Sequence, residues 1–115
     1  AAWVSPSARV EPGAVVLAGS VVNAGAVVGT HAIVNSGVIV EHDVRVGAFS
    51  HLAPGAVVGG GTAIGDDTTI GLGAAVRDHV GIGSRATVAM GAVVVSDVPD
   101  DATVLGVPAR PRSAS

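Results

Sequence analysis

Every sixth residue from Val4 to Val94 is a branched aliphatic, without exception: Val4, Val10, Val16, Val22, Val28, Val34, Val40, Val46, Leu52, Val58, Ile64, Ile70, Val76, Ile82, Val88 and Val94. A second series, four residues after each, runs from Ala8 and Ala14 to Ala92 and Val98 and holds only small or β-branched residues. A period of six fits neither an amphipathic helix nor an alternating strand. The residue types also oppose helix, because β-branched side chains favour extended backbone and glycine punctuates nearly every hexad. Segments such as "NAG", "NSG" and "GGG" carry turn chemistry, since Gly and Asn tolerate positive φ. One hexad therefore reads as a short strand plus a tight corner, with its aliphatic pointing inward. Three hexads close a triangular coil of eighteen residues, and stacked coils pile equivalent aliphatics into one continuous core. The expectation is an all-β parallel solenoid with little or no helix.

Composition agrees with such a core. Hydrophobic residues make up 49% of the 115 residues but aromatics only 2%, with one Trp, one Phe, one Met and 17 Gly. A chain this poor in Phe, Leu and Met cannot fill an ordinary globular core, whereas stacked Val and Ile can fill a narrow prism. The net charge of −3, with arginine the only basic residue besides histidine, gives no nucleic-acid footprint. Without cysteine there is no disulfide framework and no thiolate metal site. No stretch resembles a membrane span or a secretory signal, so a cytoplasmic location is expected. Trp3, just ahead of the first aliphatic, is expected to cap the open apolar end.

The chain concentrates its titratable residues at "VEHDVRVG", residues 40–47. Residues eighteen apart share a column on adjacent coils. The columns here are Asn23, Glu41, Gly59, Arg77; Ala24, His42, Gly60, Asp78; and Gly25, Asp43, Gly61, His79. The "GGG" of residues 59–61 thus lies against the charged triplet, making a step where a ligand can approach backbone N–H groups. Acyl transfer from a thioester needs a base, a carboxylate to orient it and donors for the oxyanion. His42 suits the first role, because imidazole titrates near neutrality. Asp43 or Glu41 suits the second, and the glycine N–H groups the third. A polar triplet at a β-helix corner is equally an ordinary solvated turn. His31, in "VGTHAI", and His79, in "VRDHVGI", read as exposed corner residues.

The hexads resemble those of the left-handed parallel β-helix acyltransferases. The run "NSGVIVEHDVRVGAFSHLAPGAVVGGG", residues 35–61, is similar to the core of the bacterial nucleotide-sugar N-acetyltransferases and the related sialic acid O-acetyltransferases. That resemblance implies an acetyl-CoA-dependent enzyme that N-acetylates a nucleotide-linked 4-amino sugar. It makes His42 the catalytic base and Asp43 its partner, and places His51 by the acetyl group. It sets the Gly60 amide on the thioester carbonyl and brings Asn35 and Glu41 near the acceptor. "GVPAR", residues 106–110, resembles the segment after the last coil of acetyl-CoA-dependent members, implying cofactor contacts for Gly106, Pro108 and Arg110. The family's homotrimers carry active sites between subunits and need no metal. Residues 1–99 are then the β-helix and 100–115 a C-terminal cap; the usual N-terminal α/β nucleotide-sugar domain is expected to be absent from this chain.

Several rivals share the fold. A γ-class carbonic anhydrase needs three converging imidazoles, typically with a His-x4-His pair, which histidines 31, 42, 51 and 79 do not supply. An ice-binding face needs a flat array of threonines in register, and Thr30, Thr62, Thr68, Thr69, Thr87 and Thr103 do not make one, only Thr69 and Thr87 lying eighteen apart. O-acetylation of sialic acid or serine, and a non-catalytic scaffold, remain as alternatives.

Overall fold

The computed structural model describes residues 1–112 and is a three-sided β-solenoid, 45 Å long and 21 Å across in both other directions. Each hexad contributes a two-residue strand, and every third strand joins the same parallel sheet. Face I stacks Trp3–Val4, Val21–Val22, Ile39–Val40, Val57–Val58, Ala75–Val76 and Val93–Val94. Face II stacks Arg9–Val10, Val27–Val28, Arg45–Val46, Ala63–Ile64 and Gly81–Ile82. Face III stacks Val15–Val16, Ile33–Val34, His51–Leu52, Thr69–Ile70, Thr87–Val88 and Thr103–Leu105. Registers such as Val21↔Ile39 and Ile39↔Val57 keep the eighteen-residue offset, so sequence columns are columns in space. No helix occurs among the described residues.

Alternation within each strand sends the first residue outward and the second inward. Val22, Val28, Val34, Val40, Leu52, Val58 and Ile70 are fully buried, and so are Ala26, Ala32 and Ala56 of the second series. Where that series carries a hydroxyl, the group is satisfied by a carbonyl. Ser50 Oγ donates to Gly65 O at 2.6 Å, Thr62 Oγ1 to Arg77 O at 3.0 Å and Thr68 Oγ1 to Gly83 O at 2.6 Å. A buried hydroxyl left without such a partner would be costly.

Three features differ from the sequence reading. Trp3 does not cap the apolar end: it is the outward residue of its strand and 54% exposed, while Val4 and Val10 stand uncovered in the first coil. Positive φ falls on the last corner residue and not on Asn23 or Asn35. Glycine takes it at Gly25, Gly37 and Gly61, but His31, Asp43, Phe49, Asp67, His79, Arg85 and Asp101 adopt it too. The coil also runs past the last hexad. Val98 bridges Ile82 on face II, and the Thr87↔Thr103 register closes the final coil in sixteen residues, with Val104 in the core. Arg110–Pro111 then turns back antiparallel on Thr103–Leu105.

Candidate active site

Corner I/II, between faces I and II, carries Glu41, His42 and Asp43. Because Val40 and Val44 are both buried, the three residues between them must bulge into solvent. Asp43 sits at φ 58° and its N–H donates to Ala24 O at 2.9 Å, which pins the turn to the previous coil. His42 Nδ1 lies 3.1 Å from Asp43 Oδ2. The carboxylate is an obligate acceptor, so Nδ1–H donates, and in the neutral imidazole Nε2 is then the nitrogen with the lone pair. Of the two candidate carboxylates, Asp43 therefore reaches the imidazole; the Glu41 side chain forms no hydrogen bond among the described residues.

The three glycines of the next coil turn out to serve three different purposes. Gly59 permits stacking: a Cβ there would meet Asp78 N at 2.5 Å and Arg77 C at 2.9 Å. Gly60 makes room for the base, since a Cβ there would strike the His42 ring at Nε2. Gly61 takes φ +72° and lies under a second imidazole, His79, whose Cδ2 and Nε2 would be 2.7 and 2.8 Å from an added Cβ. Their N–H groups divide likewise. Gly59 N–H donates to Val76 O and Gly61 N–H to His42 O, at 2.8 and 2.9 Å, while Gly60 N–H has no partner among the described residues. The corresponding amides at corner II/III are taken by side chains: Ala48 N–H by Asp66, Asp66 N–H by Ser84 and Ser84 N–H by Asp100. Corner I/II thus offers a free amide donor directly beneath an oriented imidazole, the pairing of base and oxyanion donor that acyl transfer requires.

The remaining expected residues lie elsewhere. His51 is an outward residue of face III, and its Nε2 is 3.2 Å from Nδ2 of Asn35 on corner III/I. The amide NH2 only donates, so His51 Nε2 accepts. Face III is the side of the triangle opposite corner I/II. The structure therefore groups His42, Asp43 and Gly60, and separately Asn35 and His51, on opposite sides of a prism 21 Å across. Gly106 and its neighbours cross the end of face I: Val93 N–H donates to Gly106 O at 3.0 Å and Ala109 N–H to Val93 O at 2.8 Å. The face III strand beside this tail lies three strands beyond His51, roughly 14 Å at the usual spacing. No three of the His, Asp and Glu side chains among the described residues are placed to share a metal ion.

Some features escaped the sequence. Leu72 and Met90 stand 57% and 76% exposed at the middle of corner III/I, with Val107 at 72% nearby in the tail. Their signal was an apolar residue where other corners carry small or polar ones. His79 is the exposed corner residue expected, its side chain 73% exposed, and its ring lies over Gly61 beside Asp78, with Nδ1 to Oδ2 at 3.0 Å. That bond keeps the Asp78 carboxyl below its ordinary range. A broad groove of about 670 Å³ on face II, between Arg9, Arg45, Ala63 and Gly81, includes none of the expected site residues.

Comparison with known proteins places this geometry. The chain is similar to PerB from Caulobacter crescentus, solved in complex with CoA and GDP-perosamine, at 43% identity and a TM-score of 0.96, covering 97% of this chain and 54% of that one. It is similar to the acetyltransferase domain of PglB from Neisseria gonorrhoeae in complex with acetyl coenzyme A, at 47% identity and TM-score 0.95, covering 96% and 54%. Serine acetyltransferase from Neisseria gonorrhoeae matches at 29% identity and TM-score 0.56, over 97% of this chain and 40% of that one. The chain spans about half the length of the first two. No protein-family profile and no curated protein sequence matches it.

Proposed function

The chain belongs to the hexapeptide-repeat β-helix acetyltransferases, and from that premise we propose that it transfers acetyl from acetyl-CoA to the amino group of a nucleotide-linked 4-amino sugar. The observation that carries this reading is His42, tied to Asp43 through Nδ1 and poised with Nε2 over Gly60, beside that glycine's free amide. The acceptor nitrogen attacks the thioester carbonyl carbon while His42 Nε2 takes an N–H proton. Asp43 stabilises the imidazolium, and the Gly60 N–H donates to the oxyanion as it forms. Collapse of the tetrahedral intermediate breaks the C–S bond, and the thiolate leaves with the proton that His42 had taken. The products are an amide and free CoA.

His51 and Asn35 join the site from a second copy. One chain holds them opposite His42, so the site is incomplete in a monomer. Face I presents Trp3, Val21, Ile39, Val57, Ala75 and Val93 outward, a stripe without a charge. Three copies with face I turned to a threefold axis bury that stripe and bring each corner I/II against the next copy's corner III/I. We therefore read the assembly as a homotrimer with active sites between subunits. The acceptor lies between Asn35, Glu41 and His42. The pantetheine arm follows Leu72 and Met90 along corner III/I, and the nucleotide end reaches Gly106, Pro108 and Arg110. No helix among the described residues is long and apolar enough to cross a membrane; we read the reaction as cytoplasmic, which suits an enzyme using acetyl-CoA and a nucleotide sugar.

The test is thiol release from acetyl-CoA with UDP- or GDP-linked 4-amino sugars, sialic acid and serine as acceptors. The amino sugar is expected to turn over fastest, and His42→Ala to lower its kcat by roughly 10²–10⁴, the usual loss for a general base. Full activity in His42→Ala refutes the assignment; a faster reaction with sialic acid or serine replaces N-acetylation with O-acetylation.

A further inference from the structure

Face III carries a polar row that the eighteen-residue count alone does not complete. His51 pairs in register with Thr69, and Thr69 with Thr87. The sixteen-residue closure of the last coil then brings Thr103 into line with Thr87. Arg112 N–H donates to Thr103 O at 2.8 Å, and the Val104↔Pro111 register sets Arg112 opposite Thr103. Opposed residues of an antiparallel pair share a face, so Arg112 is the next member of the row. The row lies on the outward side, because Leu52, Ile70, Val88 and Val104, the next residues of these strands, are buried. It reads imidazole, three hydroxyls, guanidinium. The hydroxyls of Thr62 and Thr68 are taken by carbonyls of the prism, whereas those of Thr69, Thr87 and Thr103 form no hydrogen bond among the described residues. The sheet does not need them: Val15 and Ile33 fill the same column in the earlier coils.

Neighbouring strands lie about 4.8 Å apart, so the Cα atoms of the row stand about 5, 10, 14 and 19 Å beyond that of His51. The pantetheine arm of a CoA thioester carries its polar groups at similar steps. An extended chain advances about 1.25 Å per bond, a third of the Cα–Cα step. Counted from the sulfur, the two amide nitrogens fall at about 4 and 9 Å, the hydroxyl-bearing carbon at about 11 Å and the phosphate ester oxygen at about 15 Å. The amides are four bonds apart, about 5 Å, which is the spacing of the coils. We propose that, with the thioester beside His51, Thr69 and Thr87 hydrogen-bond the two amides, Thr103 the hydroxyl and Arg112 the phosphate, so that the row selects the donor by its arm. A threonine hydroxyl both donates and accepts, so it suits either side of an amide, and a guanidinium suits a phosphate. Leu72 and Met90, exposed on the adjoining corner III/I, offer the apolar cover that the methylenes need. This rests on the acetyl-transfer reading above and adds to it the side chains that recognise the donor.

The experiment measures KM for three donors of decreasing length at one saturating acceptor. Acetyl-CoA carries the whole arm and its phosphates, S-acetylpantetheine ends before the phosphate, and S-acetyl-N-acetylcysteamine ends after the first amide. Thr69→Val is expected to raise KM about three- to tenfold for all three donors, the scale of one hydrogen bond. Thr87→Val is expected to do so for acetyl-CoA and S-acetylpantetheine but not for the shortest donor. Arg112→Gln is expected to raise KM about tenfold for acetyl-CoA alone, as a charge-assisted bond is lost. In each case kcat should hold, because no group that moves a proton has changed. Valine keeps the β-branched shape that an outward strand position favours, so the fold is expected to survive. Titration calorimetry with CoA alone should repeat the weakening by Thr87→Val and Arg112→Gln without turnover. Equal changes on all three donors in Thr87→Val or Arg112→Gln, or no change on any, overturn the proposal while leaving acetyl transfer intact. If the unaltered chain binds CoA but releases no thiol from acetyl-CoA with any acceptor, the acetyl-transfer reading falls, and the calorimetry still decides the row.

Discussion

The opposite placement of His42 and His51 sets up a complementation experiment whose outcome is a definite fraction. In an oligomer built as proposed, each site takes His42 from one chain and His51 from the next. His42→Ala and His51→Ala homotrimers are then both deficient, each lacking one half of every site, with His42→Ala down by roughly 10²–10⁴. When the two variants are co-expressed at equal levels and assemble at random, a site is intact only if its first chain carries His42 and its second carries His51. Each condition is met half the time, so about a quarter of sites recover in a closed cyclic assembly. Thiol release by the mixture should therefore approach about 25% of the unaltered rate, far above the sum of the separate variants. Sites assembled within one chain cannot be rescued, because each chain then lacks one histidine of its own site. A mixture no more active than its components thus refutes the shared site.

Two further substitutions probe the scaffold. Gly60→Ala places a methyl against the His42 ring, so it is expected to displace the base and lower kcat by at least about tenfold at unchanged thermal midpoint; a fully active, folded variant would show that the ring has room to move. Leu52→Ala empties a fully buried position on face III and is expected to cost about 2–5 kcal/mol by denaturant titration, the range for a buried leucine; a loss below about 1 kcal/mol would mean that the stacked valines close over the gap.

Much of this structure could be read by counting. The core follows from a strict local period, so each inward position was visible without knowing the tertiary fold. The same arithmetic placed Gly60 against His42, because coils of eighteen residues turn sequence spacing into contact. It also contained the split site: His42 and His51 are nine residues apart, half a coil, and so on opposite sides. Trp3 was equally decidable. It precedes an inward valine by one residue, and strand alternation sends it outward. What counting could not supply was side-chain direction. The lean of His79 over Gly61 depends on its left-handed backbone and on the Asp78 carboxylate, and neither follows from a column of residue types. The choice of Asp43 over Glu41 was hidden for the same reason.

The folded-back tail bears on self-association. At the C-terminal end, two of the three sheets are covered, face III by Arg110–Pro111 and face I by the bonds that Val93 makes to Gly106 and Ala109. An exposed sheet edge is a template for another chain. The tail fills two of those templates with its own backbone. It therefore acts as a chain terminator: coils that could in principle go on adding strands stop at Thr103–Leu105 on face III and at Val93–Val94 on face I.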